Sequence, residues 1–218
     1  MRISPGHVLP VLLFLVPVAT AQSRDGEEIA RRAGLVYRGL SSLTADFDQL
    51  IEDRMIGNQE SAGRLIQAGN ARLSMRFSEP EGDAILIDGT HVWIYTPSTT
   101  PGQVIRMAVP NDPVYGPNVL ARILDRPDER YRVSWMRADM LGGQSVDVVS
   151  FEPNAADPLF RRAVIWIDRR TALPRRLELD ELTGVRRILT LDNIRVNVAV
   201  SEETFRFRVP SGVRIVEQ

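Results

Sequence analysis

Cysteine and lysine are both missing from the 218 residues, and every one of the 27 basic side chains is arginine. Without cysteine there is no disulfide framework, no thiol nucleophile, no Cys-ligated zinc or iron–sulfur cluster and no lipidated N-terminal Cys. Without lysine there is no phosphate-binding loop of the nucleotide hydrolases, no Schiff base and no pyridoxal phosphate attachment. Histidine is scarce too, with only His7 and His91. A multi-histidine metal site is therefore not expected, and a Ser/His/Asp triad would have to use one of these two. The net charge of −1 lacks the basic excess that a nucleic-acid partner demands. No cofactor, no metal, no catalytic residue and no nucleic acid is expected.

Arg2 opens a short positive region, Val8 to Val18 is almost unbroken apolar sequence, and Ala19-Thr20-Ala21 supplies the small-x-small pattern of a secretory cleavage site. A bilayer span needs about 20 apolar residues, and this run is shorter and broken by Pro10 and Pro17. Residues 1–21 are expected to be a cleaved signal peptide, with residues 22–218 forming a single exported domain. Cleavage removes Arg2 and His7 and no acid, which leaves the acidic residues in slight excess.

One helix and many strands follow. Ile29, Ala33, Val36 and Leu40 recur at helical spacing with Arg31, Arg32 and Arg38 outside, which predicts a helix from about Asp25 to Leu40. Strands are expected around 45–47, 73–77, 84–87, 92–95 and 104–107, separated by turn signals at Pro80-Glu81-Gly82, Asp88-Gly89 and Pro101-Gly102. Breakers at Pro113 and Gly116-Pro117 precede Val119, Leu120, Ile123 and Leu124, one face of a short helix that should end before Pro127. Strands resume at 131–136, 145–151, 162–167, 175–179 and 186–191, with Ile194, Val196 and Val198 as another. Ser201 can cap a helical turn, and Phe205 and Phe207 share one side of the last extended segment. The fold class is mainly β with some α: about ten strands in a large antiparallel sheet, strongly curved or partly closed, with short helices packed on it.

Such a sheet rolls up, and its inner face is either filled by side chains or left hollow. The candidate inner residues are Leu65, Leu73, Met75, Phe77, Ile85, Ile87, Trp93, Tyr95, Trp135, Val148, Leu177 and Leu179. Alternation alone does not separate a packed core from an apolar cavity lidded by helices.

Several segments resemble the periplasmic outer-membrane lipoprotein carrier family. Ser42-Leu43-Thr44-Ala45-Asp46-Phe47-Asp48-Gln49 resembles its first strand, and Phe77-Ser78-Glu79-Pro80 its aromatic-rich third strand. Asp88-Gly89-Thr90-His91-Val92-Trp93-Ile94-Tyr95-Thr96-Pro97 is similar to its Asp-Gly-x-x-x-Trp-x-Tyr-x-Pro hairpin. Asp168-Arg169-Arg170-Thr171-Ala172-Leu173-Pro174 resembles a late turn, and Phe205-Arg206-Phe207-Arg208-Val209-Pro210-Ser211-Gly212-Val213 the C-terminal ending. The resemblance implies an incomplete barrel under a helical lid, enclosing a cavity for the acyl chains of lipid-modified proteins in transit to the outer membrane. On that reading the twelve inner residues line the cavity. Ile29, Ala33, Val36, Leu40, Val119, Leu120, Ile123 and Leu124 form the lid. The implied partners are acylated proteins, a releasing transporter in the inner membrane and a receptor at the outer membrane, with the carrier a monomer. A triacylated anchor exposes on the order of 45 methylenes at about 0.8 kcal/mol each, roughly 35 kcal/mol in water, so free diffusion is excluded.

One departure stands out. The family carries an Arg-Pro pair after its second strand, whose Arg holds the lid closed; Gly69-Asn70 stands there in this chain, with Arg64 and Arg72 nearby. Asp88 and Asp168 could pair as glycosidase carboxylates, but both sit in turn signals, where Asp bonds its own backbone. The Arg pairs at 31–32, 161–162, 169–170, 175–176 and 186–187 read most simply as solvated faces. The alternatives are an envelope lipid-sensing or regulatory binding protein of the same fold and, less favoured, a hydrolase.

Overall fold

Asp25 caps the first helix. In a computed structural model, which describes residues 25–69, 71–109 and 118–218, its Oδ1 accepts from Glu27 N at 2.9 Å and Glu28 N at 3.4 Å. The expected leader at 1–21 lies outside the described residues. Helix α1 (Gly26–Arg38) places Glu27 and Glu28 at its positive end and Arg38 at its negative end. It buries Ala30, Ala33, Gly34 and Tyr37, the small residues allowing close approach. A Cβ on Gly34 would stand 2.6 Å from Leu124 O.

The strands follow as β1 (Ser42–Asp53), β2 (Gly57–Ala68), β3 (Arg72–Glu79), β4 (Ala84–Ile87), β5 (His91–Tyr95) and β6 (Gln103–Ala108). Short helices α2 (Val119–Leu124) and α3 (Pro127–Arg130) come next. The chain returns to strands β7 (Tyr131–Leu141), β8 (Gln144–Pro153), β9 (Phe160–Asp168), β10 (Pro174–Glu181) and β11 (Arg186–Val196). A 3-10 turn (Glu202–Phe205), capped by Ser201, precedes β12 (Arg214–Glu217).

These form one 12-stranded sheet in the order β12-β6-β5-β4-β3-β2-β1-β11-β10-β9-β8-β7. Neighbours are antiparallel except β12, which runs parallel to β6. The sheet is curved and open, since β12 and β7 end the order and do not pair with each other. Register shifts at Thr44/Asp46, Ala62/Gly63, Trp135/Arg137 and Pro174/Arg176 mark bulges that bend it.

The expected class is the one observed, with local differences. Alternation does not mark strand β2, because its first half, Gly57 to Gly63, carries none; only the family resemblance implies a second strand ending before Gly69. Ile194 to Val198 is not a separate strand: β11 runs on to Val196 through Asn193 in the left-handed region at φ 50°, a conformation Asn tolerates. The helical run does end before Pro127, but Pro127 then opens α3. Phe205 belongs to the 3-10 turn, and the final strand comes later.

Three apolar clusters result. The largest lies on the concave face under α1 and α2. On the convex face, Ala84, Leu86, Trp93 and Val104 pack with Phe207 and Val213, and Val146, Val148, Val164 and Trp166 form a third group.

Candidate functional site

Register decides which side chains look inward, because directly paired residues share a face. Leu65 pairs with Met75, Met75 with Ile85, and Ile85 with Ile94, giving one row across β2–β5. A second row joins Leu73, Ile87, Val92 and Met107. Beyond β1, Gln49 pairs with Leu189 and Leu189 with Leu177. Apart from Ile87, the residues of these rows, with Leu179, Leu159 and Phe160, surround a cavity of about 490 Å³ roofed by Val119 and Leu120 of α2. Its polar lining comes from Gln49, Asn118, Glu181 and Arg187.

Half of the twelve expected lining residues reach this cavity: Leu65, Leu73, Met75, Ile85, Leu177 and Leu179. The others do not. Ile87 is on the right face but sits in the packed core. Phe77 sets its ring edge-on to Phe47 at 5.1 Å, beside rather than within the hollow. Trp93 and Tyr95 point to the convex side, where Phe207 packs on their rings at 5.4 and 5.5 Å. Val148 is on the convex side with Trp166. Trp135 lies outside the cavity, and its indole N–H donates to Asp147 at 3.1 Å. Strand β5 is apolar on both faces, so its sequence does not say whether Val92 and Ile94 or Trp93 and Tyr95 face in. Only the pairing of Trp93 with Leu86 and Arg106 settles it.

The lid divides in the same way. Ile29, Ala33, Val36 and Leu40 of the α1 segment, with Ile123 and Leu124 of α2, pack into the solid part of the core, where Tyr131 stands between the rings of Phe151 and Phe160. Of the eight expected lid residues, Val119 and Leu120 alone line the cavity. The inner face is thus filled beneath α1 and hollow beneath α2.

Fastening of α2 was invisible in the sequence. Gln67, at the end of β2 and 1% exposed, accepts on Oε1 from Tyr37 OH at 2.6 Å and from Asn118 Nδ2 at 2.9 Å, and donates from Nε2 to Gly69 O at 2.7 Å. Asn118 also caps α2, accepting from Ala121 N at 3.1 Å. One buried amide thereby ties α1, β2 and α2 together, and burial pushes the Tyr37 phenol up, so it stays a donor at any ordinary pH. Farther along α2, buried Arg122 pairs with Asp157 and lies over the Phe160 ring. Neither Arg64 nor Arg72 takes part: Arg64 pairs with Asp46 at 3.5 Å, and Arg72 pairs with Glu202 and covers Phe205 on the convex side.

The other polar candidates are turn residues. Asp88 accepts from Thr90 N, His91 N, Thr90 Oγ1 and Trp93 Nε1 at 2.7–2.9 Å. Asp168 accepts from Arg170 N, Thr171 N and Thr171 Oγ1 at 2.8–3.0 Å. Burial raises both carboxyls, but these hydrogen bonds outweigh it and hold each below the usual carboxylate range. His91 is 40% exposed at its side chain and meets Thr90 Oγ1 through Nδ1.

A profile of the family described as outer membrane lipoprotein carrier protein LolA matches residues 38–208. An outer-membrane lipoprotein carrier protein from Chromohalobacter salexigens is 24% identical over 205 residues, covering 91% of this chain and 90% of its own. One from Halorhodospira halophila is 26% identical over 212 residues, covering 96% and 93%. Among solved structures, an uncharacterised conserved protein from Thermus thermophilus shares the fold with a TM-score of 0.57 at 14% identity, over 89% of this chain and all of that one.

Proposed function

The chain belongs to the outer membrane lipoprotein carrier family, and from that premise we propose that it shields acyl chains of lipid-modified proteins in the cavity beneath α2. Members of this family are binding proteins, not enzymes. The proposal covers location and partners as well: export with cleavage after Ala21, residues 22–218 acting as one periplasmic carrier domain, and a monomer that takes cargo from an inner-membrane transporter to an outer-membrane receptor.

The observation that carries the reading is the hollow of about 490 Å³ walled by leucine, isoleucine, valine and methionine side chains. An empty apolar space costs stability in proportion to its volume, so a cavity of this size is a use for the fold rather than a defect in it. The roof fits the same task. A carrier must hold its cargo and also release it, and α2 is six residues long, held among other contacts by the Asn118–Gln67 hydrogen bond and the Arg122–Asp157 ion pair.

Purified protein should carry copurifying acyl chains detectable by lipid mass spectrometry, and the delipidated protein should rebind a fluorescent acyl probe. Leu189 lines the cavity but is only half-buried, so substitutions there test the site without destroying the core. Leu189→Glu should weaken probe binding at least tenfold by placing a charge in the apolar wall, while Leu189→Met should bind within about threefold of the parent. Equal binding by Leu189→Glu and the parent would falsify the cavity assignment.

A further inference from the structure

The concave faces of β10 and β11 change character along their length. Leu177 and Leu179 give way to Glu181, and Leu189 gives way to Arg187, where both strands approach their shared hairpin. These two are the formal charges of the cavity lining among the described residues. Arg187 Nε donates to Glu181 Oε1 at 3.0 Å, and Nη1 donates to Gln49 Oε1 at 3.3 Å. Nη2 has no hydrogen-bond partner among the described residues. The side chains are 36% and 23% exposed, so the pair stands where the apolar wall meets water.

We propose that this pair selects acyl chains whose polar end is a neutral hydrogen-bond acceptor, an ester or amide carbonyl, over free fatty acid anions. The inference rests on the carrier reading and names the ligand class of the same site. A guanidinium pinned at two donors keeps others in fixed directions, suited to carbonyl oxygens at the head of a chain lying among Leu177, Leu179 and Leu189. A fatty acid carboxylate could accept from the same donors. It would then stand beside the Glu181 carboxylate, and like charges at a partly desolvated site oppose each other. It would also surrender its own hydration, a cost the ester does not bear. Glu181 therefore cancels the attraction Arg187 would otherwise exert on any anionic amphiphile, while leaving its hydrogen-bonding capacity.

The test compares hexadecanoic acid with its methyl ester as competitors of a fluorescent acyl probe on the delipidated protein at pH 8. The parent should prefer the ester. Glu181→Gln keeps the shape and a hydrogen-bond acceptor but removes the opposing charge, so the acid-to-ester affinity ratio should rise about tenfold. Arg187→Leu should weaken the ester about fivefold, the effect of losing one hydrogen bond, and Arg187→Gln should restore part of that loss. A ratio within twofold of the parent in Glu181→Gln, with probe binding intact, overturns the selectivity and leaves the carrier reading standing. A parent protein that binds neither competitor nor probe overturns both.

Discussion

Gln67 shows how much one side chain can hold. It joins three elements through three hydrogen bonds, and all of its polar atoms are buried. Tyr37→Phe removes one of two donors to Oε1 and should cost about 1 kcal/mol. Gln67→Leu takes the shared acceptor from Asn118 Nδ2 and leaves Tyr37 OH only the long 3.5 Å bond to Asn118 Oδ1, and should cost roughly 2–3 kcal/mol. At about 2–4 °C per kcal/mol for a chain of this size, thermal unfolding should resolve the two, and the Gln67 variant should also release acyl probe faster. Acid stability is decided at single residues as well. Asp168 is held below its ordinary range when folded, so its contribution is complete above the unfolded value of roughly 3.9 and is lost as pH falls through the lower folded value. Urea midpoints measured from pH 5 down to pH 2 should fall less steeply for Asp168→Asn than for the parent. Both turn aspartates were legible from their Asp-Gly and Asp-x-x-Thr settings, because the bonds they accept, apart from that of Trp93 Nε1 to Asp88, come from within three residues. Gln67 and Arg187 were not. Their partners stand 30 or more residues away for Tyr37 and Asn118, and 138 away for Gln49.

At the scale of elements, strands apolar on both faces account for the misplaced aromatic residues. Trp93 and Tyr95 face outward because the segment after β11 crosses the convex side of β3–β6 and covers them. Arg72 lies over Phe205, Phe207 stacks on Trp93, and Arg106 pairs with Glu217 of β12. That strap also explains the one parallel pairing in the sheet, since β12 arrives beside β6 from across the sheet rather than through a hairpin. Phe207→Ala should therefore cost about 2 kcal/mol, less than the 3–5 typical of a fully buried phenylalanine, and shift Trp fluorescence to the red. Acyl probe affinity should stay within twofold of the parent, since the cavity is on the other face. A tenfold loss of affinity would mean that the two faces are coupled. Helix α1 was legible in outline from its apolar spacing, and its true start is set by the Asp25 cap. Strand β2 was legible only through the family resemblance, because it owes its place to pairing with β1 and β3 along its length, not to a pattern of its own.

For the whole molecule, the decisive property is a concave face half filled and half hollow. A methylene takes about as much room as a water molecule, roughly 30 Å³, so about 490 Å³ admits on the order of sixteen of them, one lipid chain. Affinity for saturated methyl esters should rise with chain length, by up to about 0.8 kcal/mol per methylene, and level off near sixteen carbons in competition measurements. A steady rise well past that length would show that α2 lifts to enlarge the space, as a cargo with several chains requires. The sequence by itself determined the class of fold, the order of most strands along the chain, the absence of cysteine and lysine and the ordered motifs of the family. Those features are written in composition, in local turns and in alternation along short stretches. Tertiary structure alone decided which face of each strand is concave, that the space under α2 is hollow while that under α1 is filled, and that Arg187 pairs with Glu181 in the cavity lining. A strand's period of two separates its faces without naming them, and whether facing walls meet depends on the curvature of the whole sheet and the reach of short helices across it.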